Sequence, residues 1–199
     1  YHLLKHNKGK GVMIGHMDDM DPRVVTVIGA GVAGTQSILK AIDNKALVKV
    51  VDSSQSKLDD LKSKYGTENV EYILSSKDSI QVSVNESDLV IGSVYVVGKE
   101  APKVVTKDML SSMNPGTVMV DVSIDQGGCF ETSKPTTHDS PTFLENEIVH
   151  YCVTNMPGAV PLTATEALNK VSLSYVENLA NNGIQNALDS DEHLRNGLN

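Results

Sequence analysis

Apolar runs of strand length alternate along this chain with stretches whose apolar residues recur at helical spacing. Residues 23–28 (RVVTVI) read as a short buried strand, entered after Asp21-Pro22. A glycine-rich turn spans residues 29–34, and residues 35–44 then read as a helix. Residues 47–51 form a second strand, ended by Asp52. Residues 56–65 carry Leu58 and Leu61 at helical spacing. A third strand is expected at Val70–Leu74, a helix at 77–84 and a fourth strand at 88–94 (DLVIGSV). A helical turn or two at 107–113 is stopped by Asn114-Pro115-Gly116. Residues 117–122 (TVMVDV) and 148–153 (IVHYCV) are the fifth and sixth strands. Residues 161–182 form the longest helix-like stretch, with Gly183 as its C-cap candidate.

Strands alternating with helices imply βαβ units on a parallel sheet, an α/β fold of the Rossmann-type, doubly wound kind. Right-handed crossovers put ligand sites at the carboxyl ends of the strands. Gly29, Asp52, Val94, Asp125 and Asn155 fall at those ends. Residues 124–147 are long, polar and rich in Thr, Pro and Gly, and read as a functional or disordered loop.

Composition narrows the picture. The chain has no Trp and two Phe, so Val, Ile, Leu and Ala must build the core. Seventeen Lys and Arg against 25 Asp and Glu leave a formal charge of −8. That argues against nucleic acid or an anionic membrane as partner. It leaves room for an anionic cofactor, because a helix N-terminus holds phosphate without a basic side chain. Cys129 and Cys152 are isolated and read as free thiols rather than a disulfide or metal pair. No run approaches the roughly 18 apolar residues of a membrane helix. Residues 1–6 lack a signal peptide's apolar stretch, so a soluble cytoplasmic protein is expected. The chain opens at Tyr1 rather than Met and reads as part of something longer.

Gly29, Gly31 and Gly34 have the GxGxxG spacing. The first permits a tight turn out of the strand, the second close approach of the backbone to a pyrophosphate, the third close packing of the helix on the sheet. Val32 and Ala33 lie within the same turn. Asp52 ends the next strand, near the roughly 20-residue offset at which an acid receives the adenosine ribose hydroxyls. A carboxylate there repels a 2′-phosphate and favours NAD over NADP. The next base after it is Lys57. The competing reading is a structural turn beside a solvated Asp.

A second feature follows the fifth strand: Val120-Asp121-Val122-Ser123-Ile124-Asp125-Gln126-Gly127-Gly128-Cys129-Phe130-Glu131. Paired glycines permit positive φ and close approach to a ligand. Asp125 is placed to orient a nicotinamide ribose or to act as a base on water; equally, it is a turn residue bonding its own backbone. Asp121 is the weaker candidate. His138 within Thr137-His138-Asp139 is a possible base, though a turn fits it better. His150 and Cys152 share a strand face and read as core rather than half of a metal site. Neither a G-x-S-x-G nucleophile motif nor a Walker lysine occurs.

Taken together, residues 29–34, Ala101-Pro102-Lys103, residues 120–131, Pro135-Thr136-Thr137-His138-Asp139 and Asn155-Met156-Pro157-Gly158-Ala159-Val160-Pro161 resemble the alanine dehydrogenase family, which includes the NAD-binding part of proton-translocating transhydrogenase. The resemblance covers essentially the whole chain. Asp125 and the PTTHD segment favour the alanine enzymes over the transhydrogenases.

The resemblance implies reversible oxidative deamination of L-alanine to pyruvate and ammonium, with NAD. It implies Val32 and Ala33 at the pyrophosphate, Asp52 with Lys57 at the adenosine ribose, and Ser75 by the adenine. Val94 and Tyr95 would line the cofactor crevice. Val122, Ser123, Ile124 and Asp125, with Val153, Thr154, Asn155 and Met156, would flank the nicotinamide. Asp125 matches the catalytic acid/base, and Lys134 stands where relatives often carry Arg. Asn178 and Asn182 occupy positions where some relatives bind metal through Glu and His, so no metal is expected. Residues 1–160 would be the NAD-binding domain, and 161–199 a helical segment returning toward a substrate domain absent from this chain. The piece alone would be inactive, and the whole protein a homo-oligomer, often a hexamer in relatives. Two alternatives stay open: a stand-alone dinucleotide-binding module without chemistry, and a transhydrogenase component.

Overall fold

A computed structural model describes residues 1–15 and 19–198, so Asn199, the end of the expected 161–199 segment, lies outside the described residues. The chain forms two compact units, Tyr1–Thr154 and Asn155–Asn199.

The first unit is built on seven strands: β1 (Val24–Ile28), β2 (Leu47–Asp52), β3 (Val70–Leu74), β4 (Leu89–Gly92), β5 (Val118–Asp121), β6 (Thr142–Glu145) and β7 (Ile148–Tyr151). They lie in the order β3-β2-β1-β4-β5-β7-β6. Helices α1 (Val32–Asp43), α2 (Gln55–Tyr65) and α3 (Lys77–Glu86) make the crossovers. The chain moves outward from β1 to β3, then returns to the other side of β1 at β4. That reversal opens a crevice beyond the carboxyl ends of β1 and β4.

The sheet is Val-rich because helices cover both faces. Side chains alternate along β1. Val25 and Val27 pack with Ile38 and Ala41 of α1 and Leu58 and Leu61 of α2. Ile28 packs on the opposite face with Ile80 and Val84 of α3, Met119 and Phe130. Leu3 covers Val118 and Val149 at the far side. Each such aliphatic side chain, once fully buried, contributes roughly 1.5–3 kcal/mol. Local signals set the helix starts. Ser54 caps α2 by accepting from Lys57 N–H at 3.3 Å. Ser76 and Ser79 form a reciprocal capping box on α3.

Three expectations need correction. The helix after the glycine turn begins at Val32, inside the residues read as turn, because the chain enters α1 directly from Gly31. Residues 124–147 are not a featureless loop. They hold a 3-10 turn at Ile124–Gln126, a bridge pairing Val105 with Phe130, and the strand β6. The sheet is also not wholly parallel, since β6 runs antiparallel to β7. The two join through Asn146 and Glu147, both at positive φ (49° and 61°), a tight-hairpin geometry. Asn suits that turn, but the Glu at its second position and the short β6 segment hide it from pattern reading.

In the second unit, α4 (Pro161–Ser190) starts on proline and is broken at Gly183, whose φ of 73° and ψ of 165° leave helical space. α5 (Glu192–Asn196) follows, capped by Asp191, which accepts from Leu194 N–H at 3.0 Å. Along α4, Leu162, Leu168, Val171 and Val176 are exposed. Among the described residues, no helix is long and apolar enough to cross a membrane.

Candidate functional site

The carboxyl ends of β1, β2, β4 and β5 converge on a cleft of about 660 Å³. Its first wall is the glycine turn. Gly29 adopts φ +96°, and a Cβ there would stand 2.6 Å from the Ser93 carbonyl oxygen. At Gly34 a Cβ would meet the Gly29 carbonyl oxygen at 1.8 Å, so α1 sits against the turn only because this residue has no side chain. Gly31 differs, because nothing lies within 4 Å of where its Cβ would be. Its bare backbone faces open space in the cleft. Gly31 is also the N-cap of α1 and supplies no side chain to the helix's first N–H groups. Those groups carry the positive end of the helix dipole.

Asp52 closes the turn from β2. Its Oδ2 accepts from Ala30 N–H at 2.7 Å and its Oδ1 from Ser54 N–H at 2.8 Å. The residue is 7% exposed and lines the cleft. Ser93 ties the turn to the end of β4, its Oγ donating to the Gly29 carbonyl at 2.7 Å. Val32 and Tyr95 line the same cleft at 88% and 63% exposure.

The opposite wall leaves β5 and is organised by Asp121, which is fully buried. Its carboxylate accepts from Ser123 N–H (3.0 Å) at the start of the loop, and from Cys129 N–H (2.8 Å), Phe130 N–H (3.2 Å) and Ser133 Oγ (2.5 Å) at its end. One buried charge thus draws both ends of the loop together. Gly128 is shaped by the same anion, since a Cβ there would stand 2.8 Å from Asp121 Oδ2. The closed loop carries exposed Asp125 on its 3-10 turn and presents it to the cleft. Ser123 Oγ donates to the Val94 carbonyl at 2.8 Å and joins the β4 and β5 exits.

The structure brings together, as lining residues, Gly29, Gly31, Val32, Ala33, Asp52 and Lys57 on one side. Val94, Tyr95, Val122, Ser123 and Asp125 line the other. Gly34 supports the turn from behind. Ser75 lies just past β3, its N–H donating to the Asp52 carbonyl at 2.9 Å, and does not line the cleft. Ile124 points into the core. Lys134 also stands outside the lining: its Nζ is 3.3 Å from Glu145 Oε2 and 5.4 Å from the centre of the Phe143 ring. Val153 is buried and bridges to Thr136, and Thr154 N–H donates to the Thr136 carbonyl. Asn155 and Met156 belong to the second unit, Asn155 at φ 52° and Met156 opening a 3-10 turn.

Sequence reasoning missed three lining residues, Ser53, Ser93 and Gln126. Ser93 carried one signal, a small hydroxyl residue at a strand's carboxyl end facing a glycine turn. Spacing alone ranks Asp121 below Asp125, because its role depends on contacts that close only in three dimensions.

Other candidates are placed differently. His150 is fully buried against Phe143, ring centres 4.9 Å apart. Its Nδ1 lies 3.1 Å from the Ile148 carbonyl, which only accepts, so Nδ1 carries the proton and Nε2 accepts from Thr132 Oγ1 at 2.8 Å. Burial lowers its pKa. Cys129 and Cys152 are free and buried. Burial and the Asp121 charge raise the Cys129 thiol far above its ordinary range, and burial pushes Cys152 up to about 11. Both are poor nucleophiles. Among the described residues, no group of three or more His, Cys, Asp or Glu side chains is arranged to hold a metal. Asn182 Nδ2 instead donates to Asn178 Oδ1 at 2.7 Å along α4.

Comparison with known proteins fits this architecture. Residues 1–199 match the profile of the family described as Alanine dehydrogenase/PNT, C-terminal domain. An alanine dehydrogenase of Halomonas elongata is 48% identical over 197 residues, spanning 99% of this chain and 53% of that protein. One from Mycolicibacterium smegmatis is 45% identical over 198 residues, spanning 100% and 53%. A solved L-alanine dehydrogenase superposes with a TM-score of 0.92 at 43% identity, covering 99% of this chain and 54% of that one. A transhydrogenase from Sinorhizobium meliloti shares the fold, with a TM-score of 0.72 at 24% identity over 83% of this chain and 48% of that one. The chain spans about half the length of the curated relatives it matches. Matched along its whole length, it belongs to the alanine dehydrogenase/PNT C-terminal domain family.

Proposed function

We propose that this chain is the NAD-binding portion of an L-alanine dehydrogenase, which converts L-alanine reversibly to pyruvate and ammonium. In this reading residues 1–160 bind the cofactor and 161–199 return toward a substrate domain, in a cytoplasmic homo-oligomer that engages neither nucleic acid nor membrane. The observation that carries it is the pairing of an open glycine turn with Asp125 across one cleft.

The residues present fit a dinucleotide. Gly31 leaves the backbone bare at the N-terminus of α1, where the helix dipole favours a pyrophosphate. Asp52 uses two of the roughly four acceptor positions of a carboxylate on Ala30 and Ser54. The remaining ones suit ribose hydroxyls and disfavour a 2′-phosphate. Val32 and Tyr95 offer apolar cover. Bound there, NAD supplies the acceptor for the hydride leaving the alanine Cα.

Asp125 then serves the hydrolytic half of the reaction. Its carboxylate takes a proton from the water that adds to the iminium carbon, and returns it as the amine departs. Asp121 keeps the loop closed so that this carboxylate stays at the cleft. In the full-length protein, Asp125→Asn lowers turnover with L-alanine by about 10²–10⁴-fold. NAD affinity by calorimetry stays near that of the unsubstituted protein, and NAD outcompetes NADP. Unchanged turnover removes Asp125 from the chemistry, and equal affinity for the two nucleotides removes Asp52 from the discrimination.

A further inference from the structure

We propose that Lys103 is a positioning residue that fixes the orientation of Asp125 by clamping the glycine pair beside it. The inference deepens the reading of Asp125 given above and rests on it.

Gly127 and Gly128 both sit at positive φ, 86° and 76°. Such a pair lets the chain double back, and the turn closes on itself through Gln126 and Gly128 N–H to the Ser123 carbonyl and Gly127 N–H to the Ile124 carbonyl, bonds that leave the Gly127 and Gly128 carbonyls to be held from elsewhere. The Asp121 carboxylate restrains the loop from inside through Ser123, Cys129 and Phe130. None of those bonds reaches the Gly127 or Gly128 carbonyls. Lys103 reaches both from outside: its Nζ donates to the Gly127 carbonyl and, at 2.7 Å, to the Gly128 carbonyl. A compact ammonium with three donors suits two adjacent carbonyl oxygens.

The surrounding backbone aims it there. Ala101 N–H donates to the Gln126 carbonyl at 3.0 Å, Val104 N–H to the Cys129 carbonyl at 2.8 Å, and Glu131 N–H to the Val105 carbonyl at 2.9 Å. Residues 101–105 therefore run alongside 126–131, and Lys103 lies at the centre of that seam. The same segment descends from Val94 and Tyr95, which line the cleft on the same side as Asp125. Lys103 thus couples the exit of β4 to the loop that carries Asp125. The residue is itself exposed, so its charge adds little to global stability, and a neutral replacement leaves the fold intact.

The test uses the full-length enzyme. Lys103→Met lowers kcat for L-alanine oxidation about tenfold or more, because loosely held catalytic groups lose their alignment. It leaves the KM for NAD and the melting temperature near those of the parent. Lys103→Arg, which keeps a cation at the seam, restores most of kcat. In an Asp125→Asn background, Lys103→Met changes the residual rate little. A Lys103→Met variant with the parent's kcat overturns the inference, as does one that slows the Asp125→Asn enzyme as much as the parent. Parental turnover in Asp125→Asn alone defeats instead the reading of Asp125 on which the inference rests.

Discussion

The two walls of the cleft are held by different physics. The glycine wall is built by absence. Gly29 and Gly34 meet other backbone atoms where any other residue would place a side chain, and Gly31 leaves its backbone bare to the cleft. The Asp125 wall is built by attraction. Asp121 from inside and Lys103 from outside hold a loop that doubles back on two glycines. The first wall is rigid because nothing else fits; the second is ordered because a buried charge and a surface charge agree on one conformation. Steric exclusion shows in the glycine motif even where, as at Gly29, the clashing atom belongs to distant Ser93, because only glycine meets the requirement. Electrostatic clamping joins residues far apart in sequence and shows only once they meet.

This contrast can be broken most severely at Gly34. Gly34→Val forces atoms into the Gly29 carbonyl and lowers stability by about 3 kcal/mol or more, read as the unfolding midpoint in urea. Gly31→Ala is its counterpart on the same turn: stability stays within about 1 kcal/mol, because the site is open and the backbone conformation is ordinary, while NAD binding weakens. A Gly34→Val chain as stable as the parent would show that α1 can retreat from the turn.

The second wall is tested next by Asp121→Ala. Several buried donors lose their acceptor at once, each at about 1–3 kcal/mol. Relaxation and entering water soften the sum, so a loss of about 3 kcal/mol is expected. Amide exchange at Cys129 and Phe130 should accelerate along with it. An unchanged midpoint would mean that the loop is ordered without its buried carboxylate.

The smallest effect concerns pH. His150 packs beneath the same loop, within reach of the Asp121 and Glu145 charges and of Lys134, but burial dominates and lowers its pKa. The folded protein therefore holds it neutral. The unfolded chain binds a proton near the ordinary value of 6.5 while the folded one does not. Stability from this residue is thus present above that pH and is lost as pH falls through it. The urea midpoint should fall more steeply below pH 6.5 in the parent than in His150→Asn. Parallel curves would remove His150 as the source.

The residues that were legible in advance share a property. Gly29, Gly34, Asp52 and the strands around them follow from spacing, because the turn, the strand before it and the helix after it are local. The hairpin of β6 and β7 was hidden because its turn uses Glu147 at a positive φ that glycine or asparagine usually signals. The early start of α1 was hidden because the motif's last residues serve as turn and helix at once. Likeness to relatives places Lys134 at the cleft, yet its charge sits with Glu145 on β6, a strand that no local pattern marks.

The amino-acid sequence by itself determined the alternation of strands and helices, the sterically required glycines and the acid that ends β2. Short-range sterics and hydrophobic period dictate all of these. Only the tertiary structure decided that Asp121 draws the loop shut, that Ser93 braces the glycine turn, and that Lys103 meets two carbonyls on a segment more than 20 residues away. Those contacts join separate crossovers of a doubly wound sheet. Their partners are chosen by which strand ends the topology sets side by side, a choice no local pattern records.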